Sequence, residues 1–208
     1  MIAHVAETGE NQGRVVLQLG SAHPSAIALE AAVRIARAFQ SEIESIFVED
    51  EQLFDCAAYG FVREVSLTGR RSRSMSAAGM TQDLRLAAQG ARRQLEALAR
   101  LAEVPLRSRV VRDEPLRALS VACAESGPWN VVALAEPFAG GNCALLRQLL
   151  VEVSGATGLV MVGPRARRVT GPTVIAVEDA DRLPSLLRAA ERLTALDGAQ
   201  IVLLLIAP

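Results

Sequence analysis

The sequence contains no lysine; all 22 basic residues are arginine. That excludes chemistry requiring an amine side chain: a Walker-type phosphate lysine, a Schiff-base lysine and the ATP-anchoring lysine of protein kinases. Aromatic residues make up only 3% of the chain, so its core must be built from Ala, Val, Leu and Ile. The three cysteines, Cys56, Cys123 and Cys143, are widely spaced, odd in number and form no CxxC. Neither a disulfide framework nor a zinc site is expected. No apolar run reaches the ~18–20 residues that span a bilayer. The start, MIAHVAETGENQGR, lacks a basic segment followed by an apolar one, so no signal peptide or membrane association is expected and the default is a cytoplasmic protein. A net charge of −1 supplies no field for nucleic acid, and no nucleic-acid partner is expected. HExxH, GxSxG and a P-loop are also absent.

Half of the 208 residues are hydrophobic, enough for a substantial core. They are arranged as alternating strands and helices. Val15–Leu19 is a short apolar strand, and Gly20-Ser21-Ala22-His23-Pro24 is a turn whose proline suits a helix start. Ile27, Ala31, Ile35 and Phe39 form a helical stripe, and Ile43–Val48 is a second strand running into Glu49-Asp50-Glu51. Residues 52–80 have no clear periodicity; the apolar Leu53, Phe54, Tyr59, Phe61 and Val62 suggest a short packed helix, and 67–80 have the Gly, Ser and Arg content of a surface loop. Thr81 is read as the cap of a long helix with Leu84, Ala88, Ala91, Leu95 and Leu98 on one face. Leu106–Val111 is a third strand. Pro115 opens a helix with Leu116, Leu119 and Cys123 inward, and Gly127 closes it.

The stretch from Trp129 to Pro164 reads strand, glycine loop, helix, strand. Asn130–Ala135 and Leu159–Val162 are short apolar runs expected as buried parallel strands, with Gly155 or Gly158 ending the helix between them. Gly140-Gly141-Asn142 offers a tight turn and a helix cap. The alternation over residues 14–163 predicts an α/β fold: a doubly wound five-stranded parallel sheet, order 3-2-1-4-5, with helices on both faces.

After a linker at 165–172 the pattern restarts. Thr173–Glu178 is a strand, Asp181–Leu196 a helix stopped by Gly198, and Gln200–Ile206 a strand. At one constant spacing Val16 matches Val174, Leu29 matches Leu187, Arg34 matches Arg192 and Ile43 matches Ile201. The expected organisation is an α/β domain at 1–164 with a variable loop at 52–80, then a βαβ half-repeat at 173–208. Such a fragment cannot bury both faces of its sheet alone.

VVLQLGSAHPSAIALEAA near the start, the long segment after the second strand, and VVALAEPFAGGNCALLRQLL…GLVMVG near the end resemble the universal stress protein family, within the adenine-nucleotide α-hydrolase-like superfamily. Tandem copies occur in that family. The resemblance implies a nucleotide crevice with a Gly-x-x-Gly loop after the fourth strand, a later Gly-Ser/Thr pair, and an Asp ending the first strand. Here those positions fall on Ala135 and Phe138, near Leu145-Leu146 or Gln148-Leu149, and on Gly20. If an adenine nucleotide (ATP or AMP) binds, the resemblance places it against Gly20, Ser21, Val48, Gly140, Gly141 and Asn142. With the family's residues replaced, the glycine loop reads as a turn and cap in preference to an anion site. No cofactor and no metal are then expected.

Other candidates favour structural readings. His23 has no nucleophile or carboxylate placed near it, and Cys123 reads as a small core residue. Cys143 stands at a helix start where a thiolate would be favoured. Arg63, Arg70, Arg71 and Arg73 read as a solvated loop without an aromatic platform. The expectation is a non-catalytic, dimeric regulatory or scaffolding module with a degenerate nucleotide site. The alternatives are an AMP/ATP-binding stress sensor and a small hydrolase of the same superfamily. A homodimer is expected through the Leu159–Val162 edge, the 173–206 half-repeat, or both, because apolar sheet edges are normally paired or covered.

Overall fold

The computed structural model describes residues 13–20, 24–66, 68–125, 130–135, 147–149, 151, 153, 156–163 and 165–206. In chain order the elements are β1 (Arg14–Leu19), α1 (Ala26–Ala38), β2 (Glu42–Asp50), α2 (Glu51–Ala57), β3 (Arg63–Val65), β4 (Ser72–Ser74), α3 (Ala77–Leu101), β5 (Leu106–Asp113), α4 (Pro115–Ala124), β6 (Asn130–Leu134) and β7 (Ala156–Val160). Then follow β8 (Thr173–Val177), a 3-10 turn at Ala180–Arg182, α5 (Leu183–Thr194) and β9 (Ile201–Leu205).

The main sheet has the order β5-β2-β1-β6-β7, and every neighbouring pair is parallel. This is the order expected from the alternation. Side chains alternate across β1, so it feeds two cores. Val15, Leu17 and Leu19 pack with Leu29, Ala32 and Ala36 of α1 and with Leu84 and Leu95 of α3. Val16, with Ile46 and Val48 of β2, packs against Leu116, Leu119 and Cys123 of α4 and against Leu149 and Val153. Each such Val, Leu or Ile contributes about 1.5–3 kcal/mol when fully buried. Ala28, Ala32 and Ala36 are all at most 1% exposed and let α1 lie close on the sheet.

Several local readings are corrected. The long helix begins at Ala77, capped by Ser76, whose hydroxyl accepts from Gly79 N at 3.1 Å; Thr81 lies inside and its hydroxyl donates to Ala77 O. Glycine at 79 leaves room for this cap, since a Cβ there would come within 2.9 Å of the serine oxygen. Within residues 52–80 the expected short helix is α2, which stops at Ala57, and part of the expected surface loop is the second strand of the antiparallel β3–β4 hairpin. Gly158 does not end a helix but lies within β7, which starts at Ala156 and is half-exposed, not buried on both faces. Gly155 and Gly127 lie outside the described residues.

The edge strand β5 is protected by ion pairs with its neighbour. Arg107 pairs with Glu42, Arg109 with Glu44 at 2.8 Å, and Arg112 with Glu49 at 2.7 Å. Charged edge residues of this kind oppose further strand addition. β7, at the other edge, carries no charge.

β8 and β9 form a separate parallel pair. Their register repeats that of the first unit at the spacing seen in the sequence: Val15 faces Ile43 and Thr173 faces Ile201. α5 lies against α1. Arg34 of α1 donates to Leu193 O at 2.9 Å and pairs with Asp197 at 3.0 Å. Reciprocally, Arg192, the counterpart of Arg34, stands over the Phe39 ring at 5.7 Å, and Phe39 is the counterpart of Asp197. Gly198 ends the unit in the left-handed region (φ 66°) and donates to Thr194 O at 2.7 Å. Among the described residues β8–β9 makes no strand pairing with β7, so it does not close that edge.

Candidate functional site

In a sheet of this topology a ligand crevice opens at the carboxyl ends of β1 and β6, where the winding direction changes. Gly20 follows the last paired residue of β1, Leu19 opposite Phe47, and so stands level with Val48, two residues before the end of β2. The Val48 side chain is 2% exposed and belongs to the α4 core, leaving only backbone for a ligand. At the end of β6, Ala135 N donates to Gln18 O at 3.1 Å and Ala135 O accepts from Ser25 N at 2.9 Å. Its methyl is buried at 1% exposure. This pair of bonds ties the end of β6 to β1 and to the entry of α1, whose first turn carries no acid. Ser21, Gly140, Gly141 and Asn142, like His23 and Cys143, lie outside the described residues.

The acidic run after β2 divides by role. The Glu49 carboxylate is held by Arg112 through Nε (3.1 Å) and a second guanidinium nitrogen (2.7 Å). Arg112 also lies 3.8 Å over the Phe54 ring. Asp50 caps α2 through Gln52 N at 3.0 Å. Beside Glu49, a cleft of about 200 Å³ between α3 and the β2–β5 surface is lined by Ser45, Ser108, Arg85 and Arg92. Ser45 Oγ donates to Ser108 Oγ at 2.8 Å. The cleft's carboxylate, Glu49, is bonded to Arg112 and not to either serine, so the hydroxyl pair is a cross-strand tie.

Glu44 is 7% exposed between Arg14 and Arg109, an ion cluster on the α4 side of the sheet. Burial pushes the Cys123 thiol up to about 11, helped by the nearby Glu44 charge and opposed by Arg14. Cys123 is therefore an inert core thiol, whereas Cys56 is exposed. Among the described residues no group of three or more His, Cys, Asp or Glu could hold a metal ion, and no helix is long and apolar enough to cross a membrane.

A protein of the universal stress protein family from Burkholderia pseudomallei superposes with a TM-score of 0.50, at 13% identity, over 71% of this chain and 95% of that chain. The chain has the universal stress protein fold. A universal stress protein in complex with cAMP matches at 13% identity and a TM-score of 0.44, over 73% and 97% of the two chains. The universal stress protein UspA from Lactobacillus plantarum matches at 12% identity and 0.43, over 73% and 99%. No protein-family model matches this chain, and no curated protein matches it. Within this fold Tyr59 and Phe61 are not in the short packed helix expected for them: the helix stops at Ala57, and the two rings stand exposed just before β3, with centroids 5.7 Å apart, next to the hairpin that carries the arginines. The signal was the clustering of aromatics in a chain with so few.

Proposed function

We propose that this chain is a non-catalytic, cytoplasmic regulatory or scaffolding protein of the universal-stress type, with a nucleotide crevice that no longer holds adenine nucleotide. The observation that carries this reading is Ala135. Where the resemblance implies the first glycine of a phosphate loop, the N–H and C=O are both engaged in backbone bonds and the side chain is sealed in the core. Gly20 replaces the expected strand-end carboxylate across the crevice. Protein purified without added nucleotide, then denatured, is expected to release no ATP or AMP, and calorimetry with either is expected to give no binding heat. Stoichiometric nucleotide would overturn the reading.

The protein acts as a homodimer in this proposal, and residues 173–206 are a partial second copy of the first βαβ unit. The shared register and the reciprocal Arg34/Arg192 contacts support the duplication. The second unit supports the dimer: Val174, Val202, Leu203, Leu204, Leu205 and Ile206 are 42–70% exposed. Of these, Val174, Val202, Leu204 and Ile206 alternate onto the face away from α5, an exposed apolar patch of the roughly 300 Å² size that often marks an interaction site. The double variant Val202→Glu, Leu204→Glu is expected to sediment as a monomer. If it remains dimeric, the β7 edge takes over as the interface to test.

A further inference from the structure

We infer that the outward face of the β3–β4 hairpin, with the Tyr59–Phe61 pair at its base, is a docking surface for an acidic segment of a protein partner that also carries aromatic residues. The chain has one tyrosine and five phenylalanines. Its only tyrosine is 58% exposed and Phe61 is 81% exposed, side by side. Leaving this much scarce aromatic surface in water has no folding benefit.

The hairpin's pleat sorts its side chains. Glu64 and Arg73 are partners across the ladder, and Arg73 reaches Asp83 of α3 at 2.6 Å, so this face is turned to the helix. Alternation then puts Arg63 and Val65 on the opposite, outward face, where Val65 is 58% exposed. At the far end Gly69, with φ 68°, makes the turn, closed by the bond from Ser66 N to Arg71 O at 2.9 Å. That turn presents Arg70 and Arg71 to solvent.

Charge selects the partner. Residues 59–74 hold four arginines against one glutamate, in a chain of net charge −1. Glu64 and Asp83 are both taken by Arg73. Arg63 donates to the Ser72 hydroxyl at 2.9 Å, and Arg63, Arg70 and Arg71 have no acidic partner among the described residues. Arginine and tyrosine together are the composition of binding hot spots. The rings favour a protein over a nucleic acid: with centroids 5.7 Å apart and planes tilted 37°, they do not form parallel platforms for successive stacked bases. The bond from Met75 N to Val62 O at 3.2 Å ties the aromatic turn to the hairpin and preorganises the surface. This inference is independent of the nucleotide and dimer readings, since it uses neither the crevice nor β8–β9.

The test is fluorescence anisotropy of the full chain with a labelled glutamate-rich peptide containing phenylalanine, beside the same peptide with glutamine for glutamate and a thymidine oligonucleotide. The acidic peptide is expected to bind about tenfold or more tighter than the glutamine version, with affinity falling as salt rises. The double variant Arg70→Glu, Arg71→Glu and the variant Phe61→Ser are each expected to lose binding while melting like the parent. Arg93→Glu, an exposed change on α3, is expected to leave binding intact. Equal binding of the glutamine peptide, tighter binding of the oligonucleotide, absence of peptide binding, or loss of binding in Arg93→Glu would each overturn the proposal.

Discussion

The units β1–α1–β2 and β8–α5–β9 share one strand register, yet equivalent positions have opposite fates. Val16, Ile46 and Val48 are at most 2% exposed, whereas their counterparts Val174, Leu204 and Ile206 are 60%, 53% and 42% exposed. The difference does not lie in these side chains, which are of the same kind. It lies in what covers them: α4 covers this face of the first unit, and among the described residues no helix covers the matching face of the second, whose α5 packs on the opposite side. The charges differ in a telling direction. Where the first unit has Arg14, Glu42 and Glu44, the second has Pro172, Gln200 and Val202. The second unit's open face is thus less charged than the closed face it matches, the reverse of what a solvated face would need.

The largest test of this comparison introduces one charge at matched sites. Ile46→Asp places a carboxylate in the α4 core without a partner and is expected to cost more than about 3 kcal/mol, leaving the chain unfolded or insoluble. Leu204→Asp is expected to leave the melting of the main sheet unchanged and to weaken self-association, read by sedimentation. Equal damage from both would mean that the second face is already buried within the chain.

A smaller effect comes from making the first unit resemble the second. Glu44→Val removes the carboxylate between Arg14 and Arg109. Because the two cations lose a buried partner, stability in urea is expected to fall by about 2 kcal/mol, less than for a fully enclosed pair since Arg109 is partly exposed. An unchanged midpoint would show that the ion cluster guards the β5 edge without stabilising the fold.

The smallest effect concerns the joint between the units. The hydrogen bond from Arg34 holds the Asp197 carboxyl below the usual aspartate range, against the cost of its desolvation. A depressed folded-state value means a contribution that is present above the ordinary range near ~3.9 and is lost as pH falls through the lowered value. Amide exchange in α5 is therefore expected to accelerate in Arg34→Ala at neutral pH, with β1 unaffected. Acidification is expected to erode the parent's protection and leave the variant's nearly flat. Identical profiles would place the joint's stability in apolar contacts alone.

The elements that could be read from the chain were those with an unambiguous period. The strand order follows from the alternation because parallel strands need crossover helices and those crossovers are right-handed. The inward face of α4, with Leu116, Leu119 and Cys123, was legible for the same reason. Residues 52–80 were not, because a three-residue strand such as Arg63–Val65 is too short to show alternation and its pairing with Ser72–Ser74 is set by docking on α3. Thr81 looked like a cap because it precedes the apolar stripe; the helix reaches back to Ser76 through the alanines before it. Of the crevice, Gly20 and the replaced glycine at Ala135 were visible as residue types. That both backbone groups of Ala135 are engaged was not, since the partners Gln18 and Ser25 come from another strand and a helix entry.

By itself, then, the sequence determined the α/β alternation, the inward face of α4, the spacing at which the βαβ pattern recurs and the absence of lysine chemistry. These depend on residue type and short-range period, which any chain segment carries within itself. Only the tertiary structure decided which apolar strands are covered, which arginines have acids beside them, and where the aromatic pair stands. Burial, pairing and exposure are relations between segments distant in sequence, and no segment specifies its neighbours until the sheet has brought them together.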